Sequence, residues 1–232
     1  VANDKVWLDI YKGEILALLG ENGAGKSTFI KIMSGVYQPN EGSLELDGKP
    51  IVFPTPNVAF NAGICVVHQE LSYVPELSVA ENIMMINHPL KRGLVDWKSI
   101  RKNADKLISA FRVKAPNAVT PCGALSGGNQ QKVVIARVFS QDPEVVVCAQ
   151  PTRGVDIGAN EFIHSRILQK RNEGAAVLLC SADLDEVFRL SDRIITIYEG
   201  KITGHFEAGT IAKADIGYYM TGDRKEEAAH ET

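Results

Sequence analysis

The chain has 232 residues, of which 45% are hydrophobic and 23% charged. That is enough apolar material for one large domain or two small ones with a real core, and it excludes a disordered, collagenous or coiled-coil protein. The formal charge of −3 leaves no whole-chain basic footprint for nucleic acid. No apolar run approaches the roughly 18 residues of a membrane span, and no basic-then-apolar start marks an export signal. The first residue is Val1 rather than Met, as expected of a fragment or a trimmed chain. Cys65, Cys122, Cys148 and Cys180 lie far apart without CxxC spacing, so they read as reduced residues of a cytosolic protein rather than a disulfide or zinc framework.

In chain order, Glu14–Leu19 is an apolar run that stops at Gly20, a strand ending in a glycine-rich turn. Thr28–Ser34 carries a helical pattern that Gly35 ends. Ser43–Asp47 alternates into Asp47-Gly48, a hairpin signal, and Ile64–His68 is another short strand. Ser78-x-x-Glu81 predicts a capping box opening a helix over Val79–Ile86. Ile100, Ala104, Leu107, Ile108 and Phe111 follow helical spacing, with Lys and Arg on the other face. Pro116 and Pro121 bracket a loop, after which a long helix starts near Ser126-Gly127-Gly128 and runs to about Ser140. Val145–Cys148, Ala176–Ser181 and Arg193–Tyr198 read as buried strands, separated by helices over Gly158–Arg171 and Asp183–Leu190. The alternation predicts an α/β fold with a largely parallel sheet, interrupted from about 72 to 137 by a nearly all-helical stretch and followed by a polar tail from Asp223. No internal repeat or low-complexity stretch is visible.

The first chemical signal is Gly20-Glu21-Asn22-Gly23-Ala24-Gly25-Lys26-Ser27-Thr28, which matches GxxxxGK[ST] with a strand before it and a helix after it. Its glycines let backbone N–H groups converge on phosphate oxygens where the helix N-terminus adds its positive end. Lys26 is expected to reach the β- and γ-phosphates of a nucleotide and Ser27 to ligate Mg²⁺. The bland alternative is a glycine-rich turn with a chance lysine. Kinases, GTPases and transport ATPases all use this P-loop, but no NKxD or DxxG appears, which argues against a GTPase.

Leu125-Ser-Gly-Gly-Asn-Gln-Gln-Lys132, together with the P-loop, Gln69 after a strand, and Asp156 after Pro151-Thr152, resembles the ATP-binding-cassette (ABC) ATPases. Without the P-loop, Ser followed by glycines would be a plain helix N-cap. The GNQQK ending and Pro151-Thr-Arg-Gly-Val-Asp156 narrow the resemblance to sugar and nucleoside importers, over about Val1 to Gly222. It implies a P-loop NTPase of the ABC ATPase fold: an α/β core over 1–71 and 138–222, an inserted helical signature subdomain over 72–137, and a flexible tail over 223–232. It implies ATP and Mg as cofactors, with Gly20–Thr28 and Gln69 on the nucleotide and Ser27 and Gln69 on the metal. It also implies that Ser126, Gly127, Gly128 and Gln130 act in trans across a head-to-tail dimer with a second cassette. It further implies membrane permease subunits as partners and a cytoplasmic place, peripheral at the inner face of the membrane, with neither nucleic-acid binding nor direct lipid insertion.

Three positions depart from the family. Its catalytic strand ends in Asp-Glu before Pro-Thr, whereas this chain has Ala149-Gln150, and its frequent switch His is replaced by Ala182 after Ser181. The missing Asp normally supports Mg²⁺, and the missing Glu normally polarises the attacking water. Gln150 keeps the shape and cannot accept a proton; loss of a general base alone removes typically ~10²–10⁴ in rate. Slow or absent turnover is therefore expected, with Asp156 the acidic residue left in the site. His68, a lone histidine at a strand end, reads as structural or solvent-facing and does not compensate.

The front from Gly13 to about Met85 resembles the first cassette of two-cassette importers, and the rear from about Ala115 resembles the second, so an internal joining with a seam near 90–115 is one reading and a single diverged cassette the other. Such cassettes stack adenine on an aromatic just upstream of the position of Val1, so a weakened adenine grip is expected; Trp7 and Tyr11 are expected to pack against the strand. Glu70–Pro75 and Val79–Ile86, with Met84 and Met85, would face a permease, although each methionine taken singly reads as core. Set against the importer reading are a regulatory or structural module that binds ATP without hydrolysing it, and a soluble ABC-type ATPase acting on nucleic acid or ribosomes. The acidic balance and the mixed Lys98–Lys106 face count against the last.

Overall fold

The computed structural model describes residues 2–70, 72–86, 89–91 and 93–224. Leu71, within the expected permease-facing stretch, and 225–232 of the expected tail lie outside the described residues. Two compact units emerge, one built from 1–66, 144–150 and 171–232 and the other from 67–143 and 151–170.

The first unit is organised by a six-stranded sheet. Its strands are β1 (Ile15–Leu19), β4 (Ile64–Val67), β7 (Val145–Ala149), β8 (Ala176–Cys180), β9 (Arg193–Tyr198) and β10 (Lys201–Glu207), in the order β10-β9-β1-β8-β7-β4. β9, β1, β8 and β7 run parallel, and β10 closes one edge antiparallel to β9. β1, β7 and β8 are buried along their whole length, which is why they read as continuous apolar runs rather than alternating ones. Leu16, Leu18, Val147, Leu178 and Ile197 pack under α1 (Lys26–Met33) and α2 (Pro56–Asn61), with Ile30 and Ala59 among them. A second apolar cluster, around Ala17, Leu19 and Ile194, meets Val187 of α7 (Leu184–Leu190) and Ile216 of α8 (Lys213–Met220). β2 (Leu44–Leu46) and β3 (Lys49–Ile51) form the expected hairpin. Asp47 (φ 51°) and Gly48 (φ 70°) both take positive φ, as a two-residue type I′ turn requires.

Trp7 and Tyr11 do not pack against the strand as expected; they are 72% and 56% exposed. Val6, Leu8 and Ile10 take the inward positions, and period-two alternation turns Trp7 and Tyr11 outward, where the Arg193 guanidinium lies 4.8 Å from the Tyr11 ring centre.

The second unit holds α3 (Val79–Met84), the short strands β5 (Leu90–Lys91) and β6 (Leu94–Val95), α4 (Trp97–Ala110), a 3₁₀ turn (Cys122–Ala124), α5 (Gly127–Phe139) and α6 (Ile157–Asn172). The stretch expected to be nearly all helical thus contains a β-hairpin. Gly93 (φ 79°) supplies the reversal, and Leu90 pairs with Val95 and Lys91 with Leu94. The capping box forms as predicted: Ser78 Oγ accepts from Glu81 N at 3.2 Å, and Glu81 Oε2 accepts from Ser78 N at 2.8 Å. Ala80, Ile100, Ala104 and Ala118 form a small core on which Met84 packs. Met85 follows the last helical residue and is 40% exposed, so it departs from the core reading.

Candidate functional site

In the first unit, β1 delivers the chain into Gly20–Gly25, and α1 starts directly at Lys26. Gly23 (φ 87°) and Gly25 (φ 109°) lie in the left-handed region that glycine adopts without steric cost. A Cβ on Gly20 would stand 2.2 Å from Ile197 O, and one on Gly25 2.4 Å from the backbone oxygen of Ala2, so neither position has room for a side chain. α1 has no side-chain cap, which leaves its first-turn N–H groups to an outside acceptor. Lys26 Nζ folds over the loop and donates to Gly20 O at 2.6 Å and Glu21 O at 2.8 Å. Burial pulls its pKa below the ordinary lysine value. The side chain of Ala24 faces the core, while Glu21, Asn22 and Ser27 are exposed and Thr28 is half-buried. Open helix N–H groups, a loop without room for a side chain at Gly20 and Gly25, and a partly desolvated ammonium suit a polyphosphate. Among the described residues no cluster of three His, Cys, Asp or Glu could hold a metal by itself. A Mg²⁺ ion suits this site only with phosphate oxygens and water completing the set around Ser27, as this hard ion commonly does.

Ala149 and Gln150 sit at the end of β7, and Ala182 follows β8. Gln150 has φ 52°, its N–H donates to Cys180 O at 2.7 Å, and its Oε1 accepts from Ala182 N at 3.2 Å. The position thus ties the ends of two neighbouring strands together. An amide takes no proton at neutral pH, and the buried Ala149 offers no ligand.

The second unit carries the other predicted residues. Gln69 is exposed, and His68 is solvent-facing as expected. Ser126 is the N-cap of α5 and accepts from Asn129 Nδ2 at 2.9 Å; Ser126 and Gly127 are exposed. Gly128 is buried, and a Cβ there would meet Asp156 Oδ2 at 2.8 Å and Ala159 Cβ at 3.0 Å. Gln130 points inward, donating to Leu125 O at 2.9 Å. Asp156 caps α6 by accepting from Ala159 N at 2.9 Å. Gln131, which sequence reasoning did not single out, is buried and donates to Pro151 O at 2.7 Å, which fixes the turn before Asp156. Its only sequence signal is membership of the eight-residue run. In sum, Gly20–Thr28, Ala149, Gln150 and Ala182 are brought into the first unit, and Gln69, Ser126–Gln130 and Asp156 into the second.

The ABC transporter family profile matches residues 3–153. The chain belongs to the ABC transporter family. Among curated relatives of this ABC protein, the nucleoside import ATP-binding protein NupA of Lactococcus lactis is 36% identical over 93% of this chain and 44% of its own length. The ribose import ATP-binding protein RbsA of Corynebacterium glutamicum is 37% identical over 89% of this chain and 39% of its own. The chain therefore spans less than half the length of these relatives. Among solved structures, the dimeric post-hydrolysis cassette MJ0796 bound to ADP and Pi superposes with a TM-score of 0.77 at 25% identity, covering 90% of this chain and 92% of that one. A nucleotide-free cassette from an ABC transporter, 24% identical, gives the same TM-score over 94% and 88% and shows the shared ABC fold. No described helix of this ABC chain is long and apolar enough to cross a membrane.

Proposed function

We propose that this chain is the MgATP-binding, energy-coupling cassette of a sugar or nucleoside importer, and that its own catalytic strand hydrolyses ATP poorly. The observation that carries this reading is a crowded glycine loop at the uncapped start of α1, with Lys26 folded over it, in the same unit as a strand end that holds Ala149 and Gln150. Gly20–Thr28 would wrap the phosphates, Lys26 would exchange its two backbone partners for phosphate oxygens, and Ser27 with Gln69 would approach the Mg²⁺. The metal would supply charge neutralisation on the phosphates. Ser126, Gly127 and Gly128 would face the nucleotide of a second cassette in a head-to-tail pair; that MJ0796 forms a dimer supports pairing as such. Relatives named for nucleoside and ribose import support the solute class, and an import role would pair the cassette with a permease at the inner face of the membrane.

A second reading, a nucleotide-binding module that never turns over, is favoured by Gln150, whose Oε1 is already engaged by Ala182 N–H. Single-turnover ATP chemistry with Mg²⁺ tests both, using the unmodified chain, Lys26→Ala, and the double change Ala149→Asp/Gln150→Glu. Uncleaved ATP retained by the unmodified chain, lost in Lys26→Ala and cleaved about 10²–10⁴-fold faster by the double variant, is the expected result. Lys26-dependent phosphate release from the unmodified chain would overturn the impaired-site reading. Retention without cleavage even by the double variant would favour the second.

A further inference from the structure

One face of α6, from Gly158 through Phe162 and Arg166 to Gln169, borders an open groove of about 560 Å³ together with Arg112, which follows α4. That volume lies in the range of small-molecule sites. Three cations converge on the buried ring of Phe162: Arg112 at 5.7 Å, Lys132 at 5.2 Å and Arg166 at 5.0 Å from its centre. Arg166 also lies 4.9 Å from the centre of the Phe111 ring. Among the described residues none of the three makes an ion pair. Lys132 donates to Arg112 O, and Arg166 donates to Ala110 O and Gln169 Oε1, so the partners they do have are neutral oxygens. Arg166 Nε is buried without a partner. The one carboxylate on the groove, Glu161, is exposed and paired with none of them. Asp156 offsets part of the Lys132 charge, whereas Arg112 and Arg166 have aromatic faces as their main compensation, and like charges held this close call for an anion.

The backbone of Arg112 is an independent observation. Arg112 N donates to Ser109 O at 3.1 Å and Val113 N to Ile108 O at 2.9 Å, the Schellman pairing that ends a helix. Arg112 occupies the left-handed position of that motif, at φ 49°, where glycine is the residue of least strain. A long cationic side chain at a strained position, with its head group over the groove's aromatic ring, fits a ligand-binding role better than a structural one.

We propose that this groove binds a small phosphate-bearing molecule through Arg112 and Arg166, which line it, with the buried Lys132 adding positive charge from beside the Phe162 ring, separately from the P-loop. Calorimetric titration of sodium pyrophosphate into the 232-residue chain carrying Lys26→Ala, at roughly 0.15 M salt, tests it with the P-loop lysine removed. Saturable binding is expected, weakened about tenfold by adding Arg166→Gln and by adding Arg112→Gly. Arg112→Gly is also expected to raise the melting temperature by about 2–4 °C as it relieves the helix end, so lost binding cannot be ascribed to lost folding. No saturable binding in the Lys26→Ala chain would overturn the proposal, as would Arg112→Gly raising the melting temperature with unchanged affinity. One equivalent bound alike by the unmodified chain and by Lys26→Ala would support the groove and count against the nucleotide reading of the P-loop.

Discussion

Gln150 sits where a β-branched or bulky residue would be strained, at φ 52°, and its amide bridges to the backbone of Ala182. The identity of that residue was legible in the sequence, and its hydrogen bond was not. The four cysteines show the same split. Their spacing read as reduced residues of the core or of loops, and the structure finds all four free and buried. Burial pushes Cys65 and Cys122 up to about 11 and Cys180 up to about 12, and raises Cys148 further. In the unfolded chain the ordinary value is 9.0, so the unfolded state loses its thiol protons first. The stabilisation is therefore full below about pH 9 and is lost as pH rises from there toward the folded values. Urea midpoints are expected to hold steady between about pH 7 and 8.5 and to fall toward about pH 10.5, less steeply in Cys180→Ala. Iodoacetamide at about pH 8 should leave the native thiols unmodified and label all four after unfolding. Rapid labelling of the native chain would show that the pocketed thiols open to solvent.

At the scale of elements, α5 explains why two adjacent glycines are not equivalent. The nearest atom to a Cβ on Gly127 would be Gly154 O at 3.8 Å, whereas Gly128 has Asp156 Oδ2 at 2.8 Å and Ala159 Cβ at 3.0 Å. Gly127→Ala is expected to leave stability unchanged or raise it by up to about 1 kcal/mol, because alanine is the better helix former. Gly128→Ala is expected to cost about 1–3 kcal/mol, because α6 and its capping Asp156 must shift. Urea melts of the two variants decide it. A Gly128→Ala chain as stable as its parent would mean that α6 is not held closely against α5. The capping box of α3 and the Asp47-Gly48 turn were legible beforehand because each is closed by residues within four positions of one another. The β5–β6 hairpin was missed because its two-residue strands are too short to show a period and their outward Leu90 and Leu94 mimic a helical face.

At the scale of the molecule, each unit is assembled from separated stretches of chain, and the helical one takes α6 from beyond β7. Phe162 of α6 meets Phe111 edge-on, with ring centres 6.4 Å apart. A fragment of residues 67–143 lacks that helix, so it is expected to show helical circular dichroism without a cooperative melt. A sharp transition in the fragment would show that α6 is dispensable to the unit.

The sequence by itself determined the phosphate loop, the signature helix start and the unusual Ala149-Gln150 pair. Each is a contiguous run whose glycines, caps and apolar spacing act over a single turn or strand. Only the tertiary structure decided the strand order β10-β9-β1-β8-β7-β4, the bond from Gln150 to a residue 32 positions away, and the meeting of Arg112, Lys132 and Arg166 on one ring. Those contacts depend on which distant stretches the buried apolar faces draw together, and no local pattern of residues records that choice.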